Sequence, residues 1–302
     1  MSKETKIIGK SCHISELNKF IEKASKTDVN LLILGETGVG KDLAARTIHL
    51  KSKRKSRTFI KINCANLNEN LFESDLFGHK KGSYTGAIVD KPGLLEEANG
   101  GTAFLDEIAD MTPYLQAKLL AVIEDREIRR LGENKTRKID VRFIFATNKD
   151  LAKLLEKERF RKDLYYRICV LSFSIVPLRE RKEDIPLIIE AILEEESLQN
   201  NRCLLIQKEA IVKLIEYSFP GNIRELENII KRGIVYADDG MIKENDIKFF
   251  AEKRKSILVK RSRFSTKEIV NKLIENAGNK TKTANDLGMS RRHLYRFINF
   301  DK

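Results

Sequence analysis

Apolar residues fall along this chain in two rhythms. Three short runs, Val29 to Leu34, Thr102 to Leu105 and Val141 to Ala146, are apolar at nearly every position, the pattern of strands covered on both faces. Between them stand segments such as Leu43 to Leu50 and Tyr114 to Glu124, whose apolar residues recur at the three-to-four spacing of one helix face. Buried strands alternating with amphipathic helices predict an α/β fold with a parallel sheet, because parallel neighbours need a crossover that a helix supplies. Past Pro177 the strand rhythm stops, and helical spacing in Ile185 to Leu198, Glu209 to Tyr217 and Ile223 to Tyr236 predicts an all-helical lid. A charged stretch, Ala251 to Ser265, reads as a tether before short helical segments resume near Thr266. The expected division is an α/β domain over 1–176, a lid over 177–250, a linker over 251–265 and a small all-α unit over 266–302.

Charge sharpens that division. From Lys253 onward there are 14 Lys and Arg against 4 Asp and Glu, which accounts for ten of the net +13 of the 302 residues. The tail is therefore the part expected to seek a polyanion. Cys12, Cys64, Cys169 and Cys203 are scattered, as are His13, His49, His79 and His293, so no transition-metal or disulfide framework is expected. No apolar stretch approaches a membrane span, and the polar start is not that of a signal peptide. A cytoplasmic protein is the expectation.

Directly after the first apolar run comes Gly35-Glu36-Thr37-Gly38-Val39-Gly40-Lys41-Asp42, which fits the phosphate-loop pattern up to its last position. Glycines let backbone N–H groups turn inward around phosphates, Lys41 adds a cation at the β/γ oxygens, and the following helix points its positive end at them. Asp42 stands where the pattern has Ser or Thr. The second apolar run ends in Asp106-Glu107. Two acids at a strand end can merely begin a helix, but downstream of a phosphate loop Asp106 is expected to hold Mg²⁺ and Glu107 to polarise the attacking water. ATP and Mg²⁺ are the expected cofactors.

The loop between these motifs is the most specific feature. Glu73-Ser74-Asp75-Leu76-Phe77-Gly78-His79-Lys80-Lys81-Gly82-Ser83-Tyr84-Thr85-Gly86-Ala87 resembles the signature by which bacterial sigma-54-dependent enhancer-binding activators touch the sigma factor. Its core, GAFTGA in that family, stands here as Gly82-Ser83-Tyr84-Thr85-Gly86-Ala87, with Ser83 for alanine and an aromatic tip kept by Tyr84. The segment Val176 to Ile185 matches as well, and the resemblance runs from Ile7 to about Asp246. It implies an AAA+ ATPase fold with a helical lid, working as a ring, a hexamer on family grounds, that couples ATP hydrolysis to opening of a promoter complex by the sigma-54 RNA polymerase holoenzyme. It adds Ile8, Gly9, Thr147, Asn148 and, at the start of a lid helix, Arg224 to the nucleotide contacts of Gly35 to Asp42. Asn63 resembles the residue that restrains the catalytic glutamate, although a buried Asn capping a strand end is an equal alternative. Arg161 and Arg167 match the paired arginines that reach a neighbouring subunit's nucleotide, where such a finger contributes roughly 10³ to 10⁵ in rate; salt bridging with Asp163 is the alternative.

The tail resembles the Fis-like helix-turn-helix of these activators, on Asn279 to Ser290 followed by Arg291-Arg292-His293-Leu294-Tyr295-Arg296-Phe297. The basic helix is expected to enter the major groove of double-stranded enhancer DNA, with Ser290, Arg291, Arg292, His293, Tyr295 and Arg296 as contacts and Leu294 and Phe297 packed inward. Lys280 and Lys282 either touch phosphates or are simply solvated. With only six residues ahead of Ile7, no receiver domain is expected within this sequence, and control is expected from a separate regulatory protein, from expression level, or from a domain outside it. Two rivals predict less: a DNA-binding regulator that does not remodel polymerase, and a replication or clamp-loading ATPase, neither of which needs the Gly82 to Ala87 loop.

Overall fold

A computed structural model describes residues 7–65, 69–237, 239–249, 266–287 and 294. Its main sheet contains β1 (Leu31–Leu34), β2 (Phe59–Asn63), β5 (Thr102–Asp106), β8 (Arg142–Thr147) and β9 (Leu171–Ser174). Three small pairs account for the other numbers: β3 (Gly78–His79) with β4 (Lys91–Pro92), β6 (Glu127–Arg129) with β7 (Thr136–Lys138), and β10 (Leu205–Ile206) with β11 (Met241–Ile242). The helices of this part are α1 (Cys12–Ser25), α2 (Lys41–Leu50), α3 (Glu69–Phe77), α4 (Leu94–Glu97), α5 (Pro113–Asp125), α6 (Leu151–Glu156), α7 (Lys162–Ile168), α8 (Ile185–Asn200), α9 (Lys208–Glu216) and α10 (Asn222–Tyr236).

The main sheet is parallel throughout, in the order β2-β5-β8-β1-β9. Its three central strands are the three apolar runs, and strand alternation divides their side chains between two layers. Leu32, Leu105, Phe143 and Phe145 pack with Leu76, Leu115 and Leu119 on the side of α3 and α5. Leu31, Ile33, Phe104, Ile144 and Ala146 pack with Leu17, Ile21 and Ile48 on the side of α1 and α2. Each fully buried side chain of this size contributes roughly 1.5–3 kcal/mol, so the sheet is a rigid platform whose C-terminal edge can carry the site. Local signals fix the crossovers. Ser11 caps α1 through Ile14 N–H, and Thr112 followed by Pro113 starts α5.

The lid differs from its sequence-based expectation in one respect: it is not wholly helical. Leu205–Ile206 and Met241–Ile242 form a parallel pair beside α8, α9 and α10. Two residues per strand are too few to show a period of two, which is why no sequence rhythm marks them.

Contacts divide the chain after Ile247. In the second unit α11 (Thr266–Glu275) and α12 (Lys280–Asp286) are joined through Gly278 at φ +79°. Asn279 caps α12 by accepting from Thr281 N–H and Lys282 N–H, both at 3.1 Å. Ile269, Ala284, Leu287 and Leu294 form its apolar cluster. The expected DNA contacts Ser290, Arg291, Arg292, His293, Tyr295 and Arg296 lie outside the described residues, as do Phe297 and the tether 251–265. No helix among the described residues is long and apolar enough to cross a membrane.

Candidate active site

The site is assembled where β1, β5 and β8 end. After Leu34 the chain turns through Gly35 (φ +148°), Gly38 (φ +81°) and Gly40 (φ +103°) into α2, conformations that glycine adopts without the strain a Cβ would bring. Lys41, only 6% exposed, donates from Nζ to the carbonyls of Gly35 (2.9 Å) and Glu36 (3.2 Å) and lies 3.8 Å from Glu107 Oε1. A buried ammonium needs such partners to offset its lost hydration.

The acid pair follows β5. Glu107 holds φ 54° and ψ 46°, a left-handed conformation costing on the order of 1–3 kcal/mol for a residue with a side chain, of the kind that concentrates where chemistry needs it. Its Oε2 accepts from Asn148 N–H at 3.1 Å, and Asn148 Nδ2 donates to Thr37 Oγ1 at 2.8 Å. Asn148 thus ties the acid to the phosphate loop. Thr147, fully buried, bonds to Gly35 N–H through its carbonyl (3.3 Å) and to Lys149 N–H through its hydroxyl (3.1 Å). Asn63 lies opposite Asp106 in register. Its Oδ1 accepts from Ala65 N–H at 3.1 Å, while the carboxylate of Glu107 is engaged by Asn148 and Lys41. In this structure, then, Asn63 caps its own strand but is exposed and not buried, because β2 is an edge strand.

Lys61, which the sequence reading passed over, stands between Asp42 and Asp106, with Nζ 3.2 Å from Asp42 Oδ2 and 3.9 Å from Asp106 Oδ2. Burial raises the Asp42 carboxyl, but the charge and hydrogen bond of Lys61 outweigh it and hold the group below its ordinary value. Asp106, a hard carboxylate ending β5 with its side chain 22% exposed, is a donor suited to Mg²⁺, which takes one or two protein carboxylates and completes its shell with phosphate and water oxygens.

Lid residues close the other side. Arg179 makes a two-pronged bond to Glu36 (2.8 and 2.6 Å), and Asn222 Nδ2 donates to Glu36 Oε2 (3.0 Å) and to the Thr37 carbonyl (3.1 Å). The Arg179 bonds, then that of Asn222, bring Glu36 down from 4.5 to about 2. Ile223 N–H donates to the Gly38 carbonyl at 3.0 Å. A Cβ on Gly38 would stand 2.4 Å from the Gly221 carbonyl oxygen and 3.1 Å from Arg224 Cβ, so Arg224, an exposed residue, rests its Cβ against the loop. Beside these lies a cavity of about 220 Å³ lined by Ile7, Ile8, Val39, Leu43, Ile188 and Ile223 among others. Gly9, at φ +154°, has no room for a side chain next to Ile14 and Asp184. Arg179 and Asn222 were not singled out as site residues in the sequence, although each stands two positions after a lid proline, Pro177 and Pro220, and Arg179 lies in the matching segment Val176 to Ile185.

Comparison with known proteins decides the lineage. Residues 7–174 match the sigma-54 interaction domain. The chain belongs to that family. Residues 179–262 match the AAA+ ATPase lid domain. The chain is 44% identical over 239 residues to the Nif-specific regulatory protein of Azotobacter vinelandii, covering 79% of this chain and 46% of that one. It is 40% identical over 301 residues to the transcriptional regulatory protein ZraR of Salmonella typhimurium, covering 95% and 67%. Among solved structures, NtrX from Brucella abortus in complex with ATP is similar with a TM-score of 0.75 at 31% identity, over 98% of this chain and 69% of that one. The chain thus spans about half to two thirds of the curated relatives it matches.

Within the sigma-54 interaction domain the Gly82 to Ala87 segment leaves the body next to β3. Gly82 N–H donates to the Ala87 carbonyl (2.8 Å) and Ala87 N–H to the Tyr84 carbonyl (3.1 Å), closing a small turn. Tyr84 packs edge-on against His79 and lies 3.4 Å from Ser74 Oγ. Just beyond, Ile88 and Val89 are 76% and 65% exposed. Arg161 and Arg167 are not brought to this chain's own phosphate loop. The Arg167 carbonyl accepts from Asn30 Nδ2 at 3.0 Å, at the start of β1, whereas the loop follows its end, a strand length of about 13 Å away. Both arginines are exposed, and Arg161 pairs with Asp163 at 3.0 and 2.6 Å.

Proposed function

We propose that this chain is an ATP-hydrolysing AAA+ motor that remodels the sigma-54 RNA polymerase at promoters, carried to enhancer DNA by its basic tail. The observation that carries the reading is the joining of Lys41, Glu107 and Asn148 into one network on the phosphate loop, in a family defined by interaction with sigma-54. Lys41 neutralises the β/γ oxygens and loop N–H groups cradle them. The apolar cavity between Ile8 and Ile223 takes a flat base. Glu107, aimed by Asn148 N–H, accepts the proton of the attacking water, and Arg224 steadies the phosphates from the lid. Asp106 holds Mg²⁺, which when bound draws charge off the phosphoryl oxygens. Arg161 and Arg167 act on the neighbouring subunit's nucleotide in a ring, a hexamer on family grounds. Their exposure supports this, as does the place of Arg167 beside the start of β1, and in the single chain Arg161 rests on Asp163. The Gly82 to Ala87 loop contains none of the residues that handle phosphate, and it is the surface we assign to sigma-54.

Replacing Glu107 by Gln tests the motor. Nucleotide affinity should stay within about twofold while phosphate release falls by roughly 10² to 10⁴. Undiminished hydrolysis would remove Glu107 from its role.

A further inference from the structure

Each acid of the Asp106-Glu107 pair has its own ammonium: Lys41 lies 3.8 Å from Glu107, and Lys61 lies 3.9 Å from Asp106. The two lysines are held very differently. Lys41 is buried and fixed by two carbonyls. Lys61 projects from β2, its side chain 44% exposed, over the ring of Phe104 at 6.0 Å from the centroid. Its one side-chain hydrogen bond among the described residues goes to Asp42 Oδ2 at 3.2 Å. Strand alternation places Lys61 and Asn63 on the face of α2, where Asp42 opens that helix, while Ile62 between them is buried in the other layer. Asp42 is also the residue that replaces the hydroxyl of the phosphate-loop pattern. The departure from that pattern and the extra lysine therefore meet at one point.

We propose that Lys61 is a displaceable counter-ion of the metal site. Its ammonium, hydrogen-bonded to Asp42, neutralises the Asp106 carboxylate from 3.9 Å until a divalent cation takes that oxygen, and Asp42 retains the lysine when it is pushed away. This rests on the nucleotide-site reading above and adds a positioning residue that sets how tightly the site takes its metal. Lys61 brings one charge to 3.9 Å from Asp106, whereas Mg²⁺ or Mn²⁺ brings two to about 2.1 Å, so the metal wins in the presence of phosphate oxygens. It must nonetheless displace the lysine, and its affinity is lowered accordingly. Removing Lys61 should tighten metal binding. Removing Asp42 should weaken it, because the ammonium then rests wholly on Asp106.

Titrating the full chain with Mn²⁺ by electron paramagnetic resonance, with and without a non-hydrolysable ATP analogue, measures this directly. Lys61→Met should bind Mn²⁺ about fivefold more tightly than wild type, the size expected for one partly exposed ion pair, and Lys61→Arg should resemble wild type. Asp42→Asn should weaken binding by a similar factor, and it should have no effect in the Lys61→Met background. Binding of the analogue without metal, in chelator, should be unchanged by Lys61→Met. Equal Mn²⁺ affinity of Lys61→Met and wild type would overturn the proposal. So would weakened metal-free nucleotide binding, which would make Lys61 a phosphate ligand, or an Asp42→Asn defect of equal size in both backgrounds, which would make Asp42 a direct metal ligand. Failure of the analogue to enhance Mn²⁺ binding to wild type would instead defeat the nucleotide-site reading itself.

Discussion

Gly38 and Gly82 share one φ, +81°, yet they sit in opposite surroundings. A Cβ on Gly38 would meet the Gly221 carbonyl at 2.4 Å, whereas one on Gly82 would meet nothing within 4 Å. The phosphate loop is clamped between lid and sheet, with Glu36, Thr37, Gly38 and Lys41 all bonded to other elements. The Gly82 to Ala87 loop is closed mainly by bonds within its own turn and leaves Tyr84, Ile88 and Val89 toward solvent. Chemistry demands the first arrangement, because reacting groups must be held in fixed geometry. An output surface suits the second, because a segment with few buried contacts moves at small cost.

The sharpest way to break this contrast is to add one methyl at each glycine. Gly38→Ala should abolish nucleotide binding and destabilise the fold by more than about 3 kcal/mol, since both the φ and a backbone collision oppose it. Gly82→Ala should cost only the strain of the left-handed conformation, about 1–2 kcal/mol, and should leave nucleotide affinity intact. Calorimetry and nucleotide binding read both. Equal losses would mean that the two loops are equally constrained.

A smaller effect concerns the lid clamp. Glu36 has its carboxyl lowered by Arg179 and Asn222 to about 2 from 4.5. A depressed carboxyl stabilises the fold fully above its unfolded value, and that contribution is lost as pH falls toward the folded one. Wild type should therefore exceed Glu36→Gln in stability at pH 6, and the gap should shrink between about pH 4.5 and 2. A gap independent of pH would show that the ionised clamp is not what joins loop to lid. The smallest change is expected at Ile88, 76% exposed, where Ile88→Ser should alter stability by less than about 0.5 kcal/mol and leave hydrolysis unchanged. A large loss of stability there would mean that the segment is packed.

Much of the clamped region was legible in the sequence because covalent spacing encodes it. The glycines and Lys41 of one loop and the Asp106-Glu107 pair at one strand end are local patterns. The three central strands were likewise visible as apolar runs. Strand β9 was not recognised, and β2 was read only as a strand end at Asn63: they form the two edges of the sheet, and are only four and five residues long. The ties of Glu36 to Arg179 and Asn222 join residues 143 and 186 positions apart, and no local rhythm announces a pairing of that range. Lys61 was passed over for a related reason. A lysine in an edge strand reads as a solvated side chain until the fold sets Asp42 and Asp106 beside it. The parallel α/β architecture expected from the alternating rhythms is the one observed, whereas the lid proved to include the pair β10 and β11.

If the clamped region is a motor and the exposed loop its output, the two must be separable, and capture of sigma-54 tests that most directly. Wild type and Thr85→Ala would be incubated with purified sigma-54 in ADP with aluminium fluoride, which mimics the transferring phosphoryl group, and hydrolysis would be measured alongside. Wild type should capture sigma-54 in the presence of the analogue and not with ADP alone. Thr85→Ala should hydrolyse ATP within about twofold of wild type, since the loop touches no phosphate-handling residue, and yet capture none. Absence of capture by wild type, with hydrolysis intact in both, would contradict the account and leave Gly82 to Ala87 an ordinary surface turn.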